Sequence, residues 1–116
     1  MHELAATNTL IQLILTECAQ KKITSPKKIY VDLGTFTTYS KESILFYYDI
    51  VKNDFPLLSK STLHINEIPV KIHCNNCNKN SILKDMCMIL CPRCHSTDLT
   101  VVSGKEFILK KIEMKR

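Results

Sequence analysis

From Glu3 to Lys22 the apolar positions Leu4, Ile11, Ile14, Leu15 and Cys18 recur at spacings of three and four, with no Gly or Pro between them. That period predicts an amphipathic helix with one buried face. Lys21 and Lys22 fall where cations complement the negative end of the helix dipole, and Ser25-Pro26 then punctuates the chain. Ile29, Val31 and Leu33 alternate with their neighbours as one face of a strand, which Gly34 stops. Ser40 has the chemistry of an N-cap, with Glu42 in the first turn. Ile44, Tyr47, Tyr48 and Val51 mark the buried side of a second helix ending near Asn53. Beyond Pro56 an extended stretch runs from Thr62 to Ile72. Its apolar set switches face, from Leu63 and Ile65 to Ile68, Val70 and Ile72, which predicts a bulge or twist near Glu67 to Pro69. A cysteine-rich block, residues 73–103, follows. After Gly104, Glu106 to Met114 reads as a last strand with Ile108, Ile112 and Met114 on one face.

The block interrupts strand-forming sequence. The expected fold class is therefore α+β: two helices packed on a small mixed β-sheet, with an inserted four-cysteine, zinc-ribbon-like module. The module takes residues 73–103. The first domain takes residues 1–72 plus 104–116, the last strand returning to its sheet. A chain of 116 residues that is 45% hydrophobic is large enough for one real core.

Composition narrows the function classes. The longest apolar runs are far too short to cross a bilayer, and the start MHELAAT lacks the basic flank, apolar stretch and cleavage site of a secretory signal. The expectation is a cytoplasmic protein in a reducing compartment, where disulfides do not persist, so its six cysteines call for metal chemistry first. The net charge of +5 raises nucleic acid as a partner, but residues 1–72 and 73–104 each carry only +1 and residues 105–116 carry +3. A nucleic-acid-binding zinc ribbon would set basic and stacking aromatic side chains around its knuckles. This block has only Lys79, Lys84 and Arg93 and no aromatic ring. That class is the alternative reading; neither nucleic acid nor a membrane is the expected partner. An enzyme would need a nucleophile–base pair or an open metal site, and no spacing here supports either.

Cys74-Asn75-Asn76-Cys77 and Cys91-Pro92-Arg93-Cys94 are two C-x-x-C knuckles separated by 13 residues. Each can turn two thiolates inward, and two such loops complete a tetrahedron around zinc. Asn78 and His95, one past each pair, are residue types that tolerate the left-handed conformation such turns need. A rubredoxin-like iron site is the competing use of four thiolates. The block lacks an aromatic shell, and zinc is preferred on that ground. Four protein ligands leave no position for water, which makes the zinc structural, and metal binding should supply much of the module's folding free energy. Cys18, on the apolar face of the first helix, reads as a small core residue, and so does Cys87, alternating with Met86 and Met88 in an apparent strand. His73 and His95 flank ligand cysteines; they read as turn-forming or solvated, with thiolate replacement or a pH response as the functional alternative.

The chain starts Met1-His2-Glu3. A bulky second residue keeps the initiator Met, leaving a free α-amine next to an imidazole. The amine and the His2 amide nitrogen close a five-membered chelate ring, and that amide nitrogen and the imidazole close a six-membered one. Three nitrogen donors in a plane suit nickel(II) or copper(II), whose tetragonal preference zinc does not share.

The order of an MHE start, helix, strand ending in Gly34, helix, C-x-x-C…C-P-x-C and a closing G-K-E-F-x-L-x-x-I-E strand resembles the hydrogenase/urease nickel incorporation proteins, the HypA/HybF family. The resemblance spans Met1 to Glu113. It implies a nickel metallochaperone, not an enzyme, for maturation of nickel–iron hydrogenase and in some organisms urease. It implies His2 as the Ni(II) ligand with the Met1 amine and Glu3 beside it, and Cys74, Cys77, Cys91 and Cys94 around structural Zn(II). The implied partners are an accessory GTPase, the hydrogenase large subunit precursor as recipient, and urease accessory proteins where urease is served. One stretch departs from the family: Gly-Glu and a small-residue turn usually follow the first strand, whereas here Gly34 is followed by Thr35-Phe36-Thr37-Thr38-Tyr39.

Overall fold

The computed structural model describes residues 2–84 and 88–114. Within them the elements run α1 (Glu3–Lys21), β1 (Pro26–Gly34), α2 (Lys41–Val51), a 3-10 turn (Lys52–Asp54), β2 (Thr62–Ile68), β3 (Val70–Cys74), β4 (Asn80–Leu83), β5 (Leu99–Ser103) and β6 (Phe107–Met114). The strands form two three-stranded sheets, ordered β2-β1-β6 and β4-β3-β5. The chain divides into two units, one of residues 1–32, 39–66 and 108–116, the other of residues 33–38 and 67–107.

In the first unit, α1 ends at Lys22, which takes the left-handed conformation (φ 55°) that closes a helix, and the Ile23 N–H bonds back to the Cys18 carbonyl. Ser40 caps α2, its Oγ accepting from the Ser43 N–H at 3.3 Å. The sheet is mixed. Thr62 and Asn66 of β2 bond to Lys27 and Asp32 of β1, so these two strands run parallel. Lys110 and Glu113 of β6 meet Asp32 and Tyr30, so that strand runs antiparallel. A parallel pair needs a crossover, and α2 supplies it. One face of the sheet carries Ile29, Val31, Leu63 and Ile65, and with Leu10, Ile11, Ile14 and Cys18 of α1, Ile44 and Tyr48 of α2, and Leu58, these side chains are buried. Each large one contributes about 1.5–3 kcal/mol through water exclusion. The Tyr48 hydroxyl lies 2.6 Å from Ser61 Oγ, which itself donates to the Leu58 carbonyl, so the segment after α2 is tied back to it.

In the second unit, β3 pairs antiparallel with β4, Val70 opposite Leu83, and with β5, His73 opposite Thr100. Val70, Ile72 and Leu83 form its small core, with Phe36, Leu99 and Val101 packed on it. Gly34 and Gly104, the chain's two glycines, meet back to back. A Cβ on Gly34 would lie 2.0 Å from the Gly104 carbonyl oxygen, and Gly104 itself has φ +107°. The close approach permits the Gly34 N–H to reach the Glu106 carbonyl and the Phe36 N–H to reach that of Gly104.

Several expectations change. The apolar face of α1 is centred on Glu3, Thr7, Leu10, Ile14 and Cys18, so Leu4 is 45% exposed and Leu15 half-buried. The break near Glu67 to Pro69 is a change of sheet: Pro69, with no N–H to donate, separates β2 from β3. In β6 the half-buried positions are Phe107, Leu109, Ile112 and Glu113, whereas Ile108 and Met114 are exposed. Sequence alternation misassigned that face because the pattern shifts by one residue after the consecutive exposed Lys110 and Lys111. The cysteine block shares its compact unit with residues 33–38, 67–72 and 104–107, and Val70 belongs to that unit's core. Met86 and Cys87 lie outside the described residues, and Met88 is exposed and outside any strand.

Candidate functional site

Each cysteine pair sits on the same kind of turn. After the first, the Asn78 N–H bonds to the Cys74 carbonyl and the Cys74 N–H to the Lys79 carbonyl. After the second, the His95 N–H bonds to the Cys91 carbonyl and the Cys91 N–H to that of Ser96. Such closure needs a left-handed residue behind the pair, and Asn78 (φ 58°) and His95 (φ 64°) supply it, as their residue types led one to expect. The two turns bring Cys74, Cys77, Cys91 and Cys94 together, all four Sγ atoms lying within 4.8 Å of one another. The Sγ of Cys74 is 3.5 Å from that of Cys94, and the Sγ of Cys77 is 3.8 Å from that of Cys91. Four sulfurs about 2.3 Å from a tetrahedral zinc lie about 3.8 Å apart. Those two separations lie within about 0.3 Å of that value, so the residues present fit such an ion.

The surroundings prepare the sulfurs for a cation. The Cys77 N–H points at Cys74 Sγ and the Arg93 N–H at Cys91 Sγ, both at 3.4 Å. Backbone amides, that of Cys94 first, pull the Cys91 thiol down to about 6. The Ser96 amide and then the Asn76 side chain pull Cys94 down. Burial, followed by the neighbouring Cys74, pushes Cys77 up to about 11. Amide donors favour thiolate, and a bound cation removes the remaining protons. Cys74 and Cys91 are fully buried, Cys77 and Cys94 half-buried, so the set is closed.

Sequence reading missed the asparagines inside the first knuckle. Asn76 Nδ2 reaches Cys94 Sγ at 3.6 Å, tying one knuckle to the other. Asn75 Nδ2 bonds to Asp98 and Thr100, anchoring the turn to β5. Two adjacent amides between paired cysteines were the available signal. Among the described residues no histidine joins the sulfur group. His73 Nδ1 instead lies 2.7 Å from Asn80 Oδ1, across the β3–β4 pair, and His95 is exposed. Cys18 is 1% exposed in the first core, where burial raises its thiol pKa.

At the other candidate site, Met1 lies outside the described residues. His2 is exposed and occupies the N-cap position of α1, its carbonyl accepting from the Ala6 N–H at 2.9 Å. Glu3 turns inward. It is only 8% exposed, and its Oε2 accepts from the Ser40 N–H at 3.1 Å. Hydrogen bonding, to the amino terminus first and to the Ser40 amide second, holds its carboxyl down to about 2. Ser40 as the partner of Glu3 was not legible in the sequence, since the two stand 37 positions apart.

Comparison with known proteins places the whole arrangement. Residues 1–114 match the family model described as hydrogenase/urease nickel incorporation, metallochaperone, hypA. The chain is 32% identical to the hydrogenase maturation factor HypA of Moorella thermoacetica, over 94% of this chain and 95% of that protein. It is 31% identical to the factor of the same name from Methanococcus vannielii, over 95% and 94% respectively. The solution structure of the Ni metallochaperone HypA from Helicobacter pylori has the same fold, with a TM-score of 0.71, 20% identity and coverage of 98% of this chain and 97% of that one. This chain therefore belongs to the HypA family of hydrogenase/urease nickel-incorporation metallochaperones, a family of maturation factors rather than enzymes.

Proposed function

We propose that this chain binds Ni(II) at its N-terminus, through the Met1 amine and His2 with Glu3 alongside, and delivers it during maturation of nickel–iron hydrogenase. Urease is a second recipient of the same chemistry. Cys74, Cys77, Cys91 and Cys94 hold a structural Zn(II). The accessory GTPase and the hydrogenase large subunit precursor are the expected partners, with urease accessory proteins where urease is present, and the cytoplasm is the expected compartment. Among the described residues no helix is long and apolar enough to cross a membrane. Nickel binding is assigned to residues 1–72 with 104–116, and zinc binding to residues 73–103.

The observation that carries this reading is the division of labour between donors. Four sulfurs gather into a set that satisfies a tetrahedral ion by itself, which leaves an exposed imidazole at position 2 of a nickel-metallochaperone family member outside it. A closed, partly buried thiolate cage releases its ion slowly and suits architecture. An exposed, nitrogen-rich chelate with planar preference leaves the faces of the plane open, so a donor from a recipient can enter before the chelate lets go. Cargo binding needs the second kind of site.

The test is nickel titration of zinc-loaded, untagged protein. His2→Ala should abolish tight nickel binding while leaving zinc content and helicity unchanged, because an exposed terminal side chain contributes little to the core. Extending the chain before Met1 should do nearly the same by converting the primary amine to an amide. Wild-type nickel affinity in either variant would place the nickel elsewhere.

A further inference from the structure

We propose that Asn75 and Asn76 make the cysteine cage selective against nickel: bonding across from the first knuckle to Cys94 and to β5, they hold the two cysteine pairs at the tetrahedral angle that the cargo metal does not favour. The inference rests on the structural Zn(II) proposed above and adds how that site refuses the ion the chain carries.

A member of this family meets nickel as cargo, and thiolates bind nickel as well as zinc. The two ions stand close together in the affinity order of divalent metals, so geometry has to choose between them. Zn(II) has no directional preference of its own and accepts a tetrahedron, whereas Ni(II) prefers its donors in one plane. Turning two crossed pairs of sulfurs into a planar set requires one pair to rotate against the other by about a quarter turn. A cage that resists this rotation keeps zinc and rejects nickel.

Most of the donors around the sulfurs offer no such resistance. The Cys77 N–H at Cys74 Sγ and the Arg93 N–H at Cys91 Sγ each stay within one knuckle. So do the amides of Lys79, Cys94 and Ser96 that serve Cys77, Cys91 and Cys94. Every one of these turns with its own pair. The contacts between pairs, Cys74 with Cys94 and Cys77 with Cys91, are hydrogen bonds only while a thiol proton is present, and a bound cation removes it.

Among the described residues, Asn76 Nδ2 is the one amide that reaches a sulfur of the opposite pair, Cys94 Sγ at 3.6 Å. Rotating the pairs would carry that sulfur away from it. The bond strengthens when its acceptor is a thiolate, so it is firmest in the loaded cage. Asn75 adds a second tie. Its N–H bonds to the Asp98 carbonyl at 3.0 Å, and its Nδ2 reaches Asp98 Oδ1 at 3.1 Å and Thr100 Oγ1 at 3.2 Å. The first knuckle is thereby fixed to the chain that leaves the second.

The test challenges zinc-loaded, untagged, full-length protein with Ni(II), comparing Asn76→Ala, Asn75→Ala and the double variant with the parent. All carry His2→Ala, so that terminal nickel does not contribute. Zinc released to a chromophoric chelator and the thiolate-to-nickel absorption band, checked by its loss in Cys91→Ser, give the nickel-to-zinc affinity ratio of the cage. That ratio should rise about tenfold in Asn76→Ala, the worth of one hydrogen bond to a charged acceptor. It should rise about threefold in Asn75→Ala, which keeps the backbone bond to Asp98, and furthest in the double variant. Nickel in the double variant should be planar and diamagnetic, whereas nickel forced into the parent cage by excess should be tetrahedral and paramagnetic. A merely structural role for the asparagines would weaken both metals together, leaving the ratio and the spin state unchanged, and that result overturns the proposal. Where Asn76→Ala fails to hold its module together, the ratio and spin state in Asn75→Ala decide by the same criteria. A parent cage that takes nickel as readily as zinc is a different failure: it removes the zinc assignment itself, and this role with it, whatever the variants do.

Discussion

Replacing Gly34 with Ala would test how tightly the second unit is assembled. The added Cβ would sit 2.0 Å from the Gly104 carbonyl oxygen, 2.1 Å from its carbon and 2.6 Å from the Lys105 nitrogen. All three are backbone atoms, so no rotamer change relieves the contact, and one strand must move by roughly 1.5 Å or more to reach an ordinary van der Waals distance. Overpacking of this kind costs about 1–3 kcal/mol. The displacement also stretches two hydrogen bonds, from Gly34 to Glu106 at 2.7 Å and from Phe36 to Gly104 at 2.8 Å, each worth about 1 kcal/mol. The expected loss is about 3–5 kcal/mol, a large share of the ~5–15 kcal/mol that holds a domain together. With an unfolding entropy of about 2.1 cal/mol/K per residue, 116 residues shift by about 4 °C per kcal/mol. The melting temperature of the zinc-loaded protein should therefore fall by about 12–20 °C in a calorimetric scan. A variant melting within about 4 °C of wild type would show that the two strands separate freely, and the packing argument would fail.

Three further outcomes are expected. Cys91→Ser should lose zinc and expose residues 73–103 to proteolysis while the helical circular dichroism signal largely remains, because three sulfurs cannot close the tetrahedron; normal zinc content with unchanged protease resistance would contradict this. Tyr48→Phe should cost about 1–2 kcal/mol in denaturant unfolding: Ser61 Oγ gives its own proton to Leu58, so Tyr48 is the donor in their 2.6 Å bond, and both residues are fully buried. Zinc affinity should weaken as pH falls, and more steeply below about 6, where Cys91 begins to take up a proton that it does not hold at neutral pH. The sign follows from a depressed pKa: the favourable contribution of this thiolate is present above its unfolded value and is lost on acidification through the folded one. A zinc Kd with one constant slope from pH 7.5 to 5 would refute the assignment.

The paired knuckles were legible because their chemistry is local. Four residues of sequence specify each turn, down to the left-handed position behind it at Asn78 and His95. Strand β1 was equally plain, since a period of two over Ile29 to Leu33 has one meaning. Helix α1 was found but its face was misjudged, because Glu3 and Thr7 are buried and polar and no periodicity of apolar residues can register them. Their burial depends on Ser40 and on the Glu3 carbonyl, partners that only the fold supplies. The division into two sheets was hidden for a similar reason: a change of face at Pro69 looks the same in sequence whether a strand bulges or leaves one sheet for another. In β6 two consecutive lysines shifted the alternation, and a strand at the edge of a sheet does not correct such a shift by burying one side completely.

Because β6 pairs with β1, the first sheet is completed by the last of its own strands to be made. Gly34 waits for Glu106, about 70 residues later, and at a synthesis rate of roughly 5–20 residues per second that interval is several seconds. Both cysteine pairs leave the ribosome within it. If they close on zinc first, the loop that must be spanned to dock β6 is shortened by the roughly 20 residues between Cys74 and Cys94, a little over a quarter of its length. Loop closure then becomes easier by about 0.3 kcal/mol, less than a roughly twofold gain in the closing step. A structural zinc ion would in this way ease completion of the first sheet, and zinc starvation would slow that step.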